Sequence, residues 1–270
     1  MPVRTFLSAL LTLVAMVAIV VALPSMWAAE RVVDADGFAD VAAPLAHDPQ
    51  VQAFIADEIT EQVSSRVNVP GASTLIEPFA KRYTQGQDFP ADFADLVRQQ
   101  HSWLFDPAPA GGSQEMQLDI TAMVNRALKS ANLPFVTSVP GKIEVPMAEG
   151  SGLDAGRYHK VGQQITTIGY IATAVAVIAG LLALLVARRR GTVLIALGLG
   201  GLLAALLSWL AALNATTLVN RQFVNHSTGN ALTRAATDAL ANDLTWWATV
   251  GAIAGAIGIV LGIVVRLIAR

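Results

Sequence analysis

The stretch DADGFAD at 34–40 places three acidic side chains within seven residues, the kind of oxygen-rich run a calcium loop uses. An EF-hand needs oxygen ligands at its first, third and fifth places, a glycine at the sixth and a glutamate at the twelfth. Counted from Asp34, the fifth place is Phe38 and the sixth is Ala39, so the pattern fails. Asp34 or Asp36 is instead expected to cap a helix. The other candidate ligands are the four histidines, His47, His101, His159 and His226. Zinc needs three or four groups converging on one point, and no HxxxH or HxH pair is present. His101 stands four residues after Val97 and three before Leu104, on an apolar helical stripe. That position reads as a partly buried, hydrogen-bonded structural histidine, with a ligand or pH-sensing role as the alternative.

Nucleophilic and hydrolytic chemistry finds little to work with. EGSGL and GGSQE both miss the G-x-S-x-G elbow, and HExxH, P-loop and dinucleotide patterns are missing. The acid pairs Asp57/Glu61 and Asp92/Asp95 fall on helix faces read as exposed, where solvation accounts for them; spacing alone does not separate them from a glycosidase pair. The chain has no cysteine, which removes disulfides, thiolate metal sites and cysteine nucleophiles together. No catalytic, cofactor-binding or metal-binding residue is therefore assigned, and no cofactor is expected. The sequons at Asn214 and Asn225 matter only in a host that glycosylates.

The elements that would carry these residues are dominated by apolar runs. Of the 270 residues 54% are hydrophobic and only 14% charged, about half the charged share of a soluble domain. Runs at 6–23, 165–186, 192–213 and 248–267 each match the roughly 20 residues that cross a bilayer as a helix. The predicted fold is mainly α, a four-helix transmembrane bundle with a helical extracytoplasmic domain inserted between spans one and two. Its segments are 1–27 (an uncleaved anchor), 28–164 (the inserted domain), 165–187, 188–191 (the arginine loop), 192–213, 214–245 (a second helical loop) and 246–270.

Orientation follows from charge. Arg4, the run Arg188, Arg189 and Arg190, and Arg266 with Arg270 lie on one side: six of the 18 basic residues and none of the 20 acidic ones. Basic residues near span ends stay in the cytoplasm, so both termini are predicted inside and the acidic segments outside. The small, basic interior and acidic exterior argue against nucleic acid as a partner. The spans contain no ionisable residue before Arg266, which argues against a proton relay or ion-coupled transport by one chain. They do contain glycine: Gly251, Gly255, Gly258 and Gly262 form two GxxxG motifs that let helix backbones approach closely. Packing within the chain's own bundle is the plainer reading, and a homo-oligomer face is the other.

In the inserted segment, Asp48 followed by Pro49 predicts a helix start. Val51, Phe54, Ile55, Ile59 and Val63 form its apolar stripe, and VPG at 69–71 ends it. Further helices are expected around Leu75, Ile76, Phe79 and Tyr83, from Pro90 through Phe105, and after a cap at Asp119. The stretch 106–114 is expected as a loop, and one strand at 142–145. A long helix is expected to run from Leu153 into span two.

APLAHDPQVQAFIADEITEQV (43–63), FADLVRQQHSWL (93–104), LDITAMVNRAL (118–128) and ATDALANDLTWWATVGAIAG (236–255) carry a diffuse likeness over most of the chain. Through them it resembles a group of four-span integral membrane proteins of actinobacteria with a large extracytoplasmic first loop and no established activity. The resemblance implies a cell-envelope, plasma-membrane setting and no catalytic residues. The expected function is a non-catalytic envelope protein whose acidic outer domain binds or organises a partner. The alternatives are an accessory or oligomeric pore-forming transport component, and an outer hydrolase without a recognisable motif.

Overall fold

The computed structural model describes residues 2–65, 71–108, 116–131, 141–147, 154–222 and 227–268. In chain order its elements are α1 (Pro2–Ala28), α2 (Ala35–Ala42), α3 (Pro49–Ser64), α4 (Ala72–Thr84), α5 (Phe89–Phe105), β1 (Met116–Asp119), α6 (Thr121–Ala131), β2 (Glu144–Met147), α7 (His159–Val186), α8 (Arg190–Gln222) and α9 (Ser227–Ile268). The protein is mainly helical, in two units: Met1–Asp34 with Val161–Asn225 and Thr237–Arg270, and Ala35–Lys160 with His226–Ala236.

The first unit holds, but for the opening residues of the second and fourth, four helices long and apolar enough to cross a membrane: Val3–Val33, His159–Val186, Arg190–Ala215 and Arg234–Ile268. Their large apolar side chains point outward, with Phe6, Leu185 and Ile253 all more than half exposed, as a surface facing hydrocarbon requires. The interior is made of small residues. Ala15 and Ala18 of α1 are buried, as are Ala204, Ala205, Ser208 and Ala212 of α8. A Cβ on Gly200 would lie 3.3 Å from the Met16 Cα, so α1 and α8 meet almost backbone to backbone. Pro24 sits inside α1 and offers no N–H to the carbonyl four residues earlier. The helix then loosens into a π-helical turn over Ala29–Val33.

The helices outrun the apolar stretches. Where 192–213 is apolar, α8 continues to Gln222, and α9 begins at Ser227, well before the span at 248. Nothing in NATTLVNRQ breaks a helix, so the backbone continues after the hydrophobicity stops. In contrast α7 starts at His159 rather than at Leu153 (Leu153 itself lies outside the described residues). Gly156, at φ +69, turns the chain just before it, a conformation open chiefly to glycine.

The second unit has one apolar core. Asp48 accepts hydrogen bonds from the Gln50 and Val51 amides at 2.7 and 3.3 Å, starting α3 with Pro49 in its first position. Val51, Ile59 and Val63 of α3 are buried with Ile76 and Tyr83 of α4, Phe89 and Phe93 of α5, and Val124 and Leu128 of α6. Leu75, expected on the α4 stripe, is 63% exposed; with Ile76 directed inward, its neighbour is rotated about 100° away. The strand expected at 142–145 lies at Glu144–Met147. It pairs antiparallel with β1, Leu118 opposite Val145 and Asp119 opposite Glu144. Asp119 accepts from the Thr121 amide at 3.0 Å at the entry to α6, and hydrogen bonding with Thr121 holds its carboxyl below the usual range. Of the loop expected at 106–114, residues 109–114 lie outside the described residues.

Candidate functional site

The strongest concentration of polar chemistry joins α4, α5 and α6. Tyr83 comes from the last turn of α4, Asp92 from the first turn of α5 and Arg126 from the exposed side of α6. The Tyr83 hydroxyl donates to Asp92 Oδ2, and Arg126 Nη2 lies 2.7 Å from Asp92 Oδ1. Asp92 is 5% exposed, so the expected exposed pair Asp92/Asp95 does not exist as such. The two diverge because residues three apart on a helix near a core edge straddle it, one facing in and one out. Asp95, on the outer side, meets Arg98 at 3.0 Å, and Arg98 also holds Asp36 of α2 at 2.7 Å. Asp57 and Glu61 are exposed.

Burial, reinforced by the hydrogen bond to Asp92, drives the Tyr83 phenol far above its ordinary range. Both Asp92 oxygens are engaged and Tyr83 is held protonated. The trio is thus a polar clamp across three helices, with neither carboxylate oxygen presented as a general base. Phe89 packs edge-on to Tyr83 at 6.1 Å and closes the apolar side. No family model, curated protein or solved structure matches this chain. The site must therefore be read from its own geometry.

His101 is buried, 4% exposed. Phe105 stacks on it nearly parallel at 4.4 Å, and Phe38 of α2 lies 5.3 Å away at a tilt. Its apolar spacing is thus realised as an aromatic sandwich at the C-terminal end of α5. That end is secured from the far side of the chain. The amides of Gly156 and Tyr158 donate to the carbonyls of Trp103 and Leu104 at 2.8 and 3.0 Å. His159 Nδ1 lies 2.8 Å from the Phe105 carbonyl, which places a proton on Nδ1. His101 and Asp92 are in different turns of α5. No group of three or more histidines and acids able to hold a metal occurs among the described residues.

In the first unit the glycines of α9 face α8. A Cβ on Gly255 would lie 2.7 Å from the Gly198 carbonyl, and one on Gly262 would lie 2.6 Å from that of Gly191. Gly258 leaves 3.4 Å to Gly198, whereas Gly251 faces the tip of Leu23 of α1. Arg188 and Arg189 are exposed in the short link between α7 and α8, and Arg190, also exposed, opens α8. Sequence reasoning passed over Asp243, which accepts from the Trp27 indole N–H at 2.8 Å and lies 3.7 Å from Arg31 Nε. An acid one turn before the paired tryptophans Trp246 and Trp247 was the available signal. It also passed over the small-residue repeat Ala204, Ser208, Ala212, whose spacing of four is that of GxxxG.

Proposed function

We propose that this chain is a non-catalytic integral membrane protein of the bacterial cell envelope. Its apolar helices anchor an acidic helical domain outside the membrane, and that domain binds or organises a partner. The observation that carries this reading is the Tyr83–Asp92–Arg126 clamp: Asp92, the most buried acid among the described residues, is tied up in holding helices together. Asp57 and Glu61, one turn apart on the outer side of α3, remain exposed and suit a basic partner surface. The sidedness rests on the arginine link and its retention in the cytoplasm. A pore built through the glycine motifs gains no support, because α8 of the same chain fills the faces of Gly255 and Gly262.

The test is extraction from the native membrane in mild detergent at low salt, followed by mass measurement of the intact particle. A second chain in fixed ratio, lost when Asp57→Asn and Glu61→Gln are combined, supports the proposal. A particle of this chain alone, unchanged in the variant, refutes it.

A further inference from the structure

The first unit contains a recess that the anchoring role does not require. Between α1, the start of α8 and the link from α7 lies a cavity of about 710 Å³. Arg4, Arg188 and Arg189 line it, and among the described residues no acid does. Thr5 and Thr192 also line it. Further along α1 the lining turns apolar at Leu13, and Leu13 is shared with a second groove of about 460 Å³ between α1 and α7. That groove is lined by aliphatic side chains, among them Val17, Val21, Ile171 and Val175.

Charge, hydrogen-bond donors and apolar surface therefore follow one another along a single helix. From Arg4 to Val21 the rise is about 26 Å at 1.5 Å per residue, comparable with one leaflet including its headgroups, about 20–22 Å. Guanidinium groups bind phosphate oxygens in bidentate fashion, and basic pockets between membrane helices on the cytoplasmic side take anionic headgroups. We infer that these two adjoining recesses together form a binding site for an anionic phospholipid. Its phosphate lies among Arg4, Arg188 and Arg189, and one acyl chain runs past Leu13 into the groove between α1 and α7.

The test uses the full-length protein, delipidated in a neutral detergent. It is titrated separately with phosphatidylglycerol, with phosphatidylcholine of the same acyl chains, and with inorganic phosphate. Retained lipid is counted by native mass spectrometry and thermal stabilisation is followed in parallel. Phosphatidylglycerol is expected to be retained and stabilising, and phosphatidylcholine not. Arg4→Gln with Arg189→Gln should weaken retention on the order of thirtyfold. Arg266→Gln, a charge change outside the recess, should leave retention unchanged and so controls for net charge. Ile171→Trp, which fills the groove but spares the arginines, should also reduce retention. Equal retention of the two lipids would overturn the inference, as would an unaffected double variant. Stabilisation by inorganic phosphate equal to that by phosphatidylglycerol would reduce the site to an anion pocket, and overturn it as well.

Discussion

Replacing Arg126 by methionine tests the clamp where intuition predicts little. The Arg126 side chain is 46% exposed, and the carboxylate it meets is 5% exposed. An ordinary surface substitution moves stability by about 0.5 kcal/mol or less, and methionine keeps the packing of the arginine stem. The loss falls on Asp92, left in a nearly dry site with Tyr83 as its remaining partner in the trio. An unsatisfied buried group costs about 1–3 kcal/mol, and more when charged, so we expect about 2–3 kcal/mol. The opposite change, Asp92→Asn, frees an arginine that water reaches, and should cost nearer 1 kcal/mol. With both replaced no charge is stranded, and the double variant should lose about 1.5 kcal/mol, a coupling of roughly 2 kcal/mol. Two units and a membrane anchor make a global unfolding curve unsafe, so the assay is amide hydrogen exchange of α4, α5 and α6. A 2 kcal/mol loss appears as about thirtyfold faster exchange. Arg126→Met within 0.5 kcal/mol of wild type, or additive single changes, would refute the account of Asp92 as a buried charge held by a surface partner.

The α8–α9 contact should discriminate sharply between glycines. Gly255→Ala drives a methyl into the Gly198 carbonyl and should lower the thermal midpoint in detergent by several degrees, whereas Gly258→Ala, with 3.4 Å of clearance, should change it little. At alkaline pH the sign is set by Tyr83, whose folded-state pKa lies above its unfolded value of about 10. Its contribution is complete below that pH and is lost as pH rises further. The melting temperature of the wild type should thus fall more steeply than that of Tyr83→Phe between pH 9.5 and 11.5. The proposed orientation predicts that Ser113→Cys is labelled by an impermeant maleimide in intact cells, and labelling only after lysis would reverse it.

What could be read from sequence is what depends on near neighbours. Asp48 and Pro49 announce α3 because a cap acts over three residues, and Val97, His101 and Leu104 share a stripe because a helix repeats every 3.6. The stacking of Phe105 on His101 is likewise an i,i+4 relation. Phe38, on the other side of that ring, arrives from α2 and leaves no local trace. Asp92 was misread for the same reason: its partners are 9 and 34 residues away. β1 escaped notice because four residues ending in a good capping aspartate look like a helix approach, and the pairing partner lies far along the chain. In the apolar helices, hydrophobicity marks where lipid is expected, but the backbone stays helical beyond it, as α8 does to Gln222, and is turned before α7 by Gly156.

The π-helical turn at Ala29–Val33 makes this stretch unusually sensitive to length. A π turn carries one residue more than its α counterpart, so removing Ala29 or Glu30 would let the last turn of α1 close to α geometry before the chain becomes extended at Asp34. Trp27, upstream, would keep its hydrogen bond to Asp243, but Arg31, inside the turn, would be displaced from its place beside the same carboxylate. For these five residues the harmful lesion is a deletion in frame rather than an exchange of side chains. A lineage that shortened α1 here would leave Asp243 to Trp27, without the charge of Arg31 beside it.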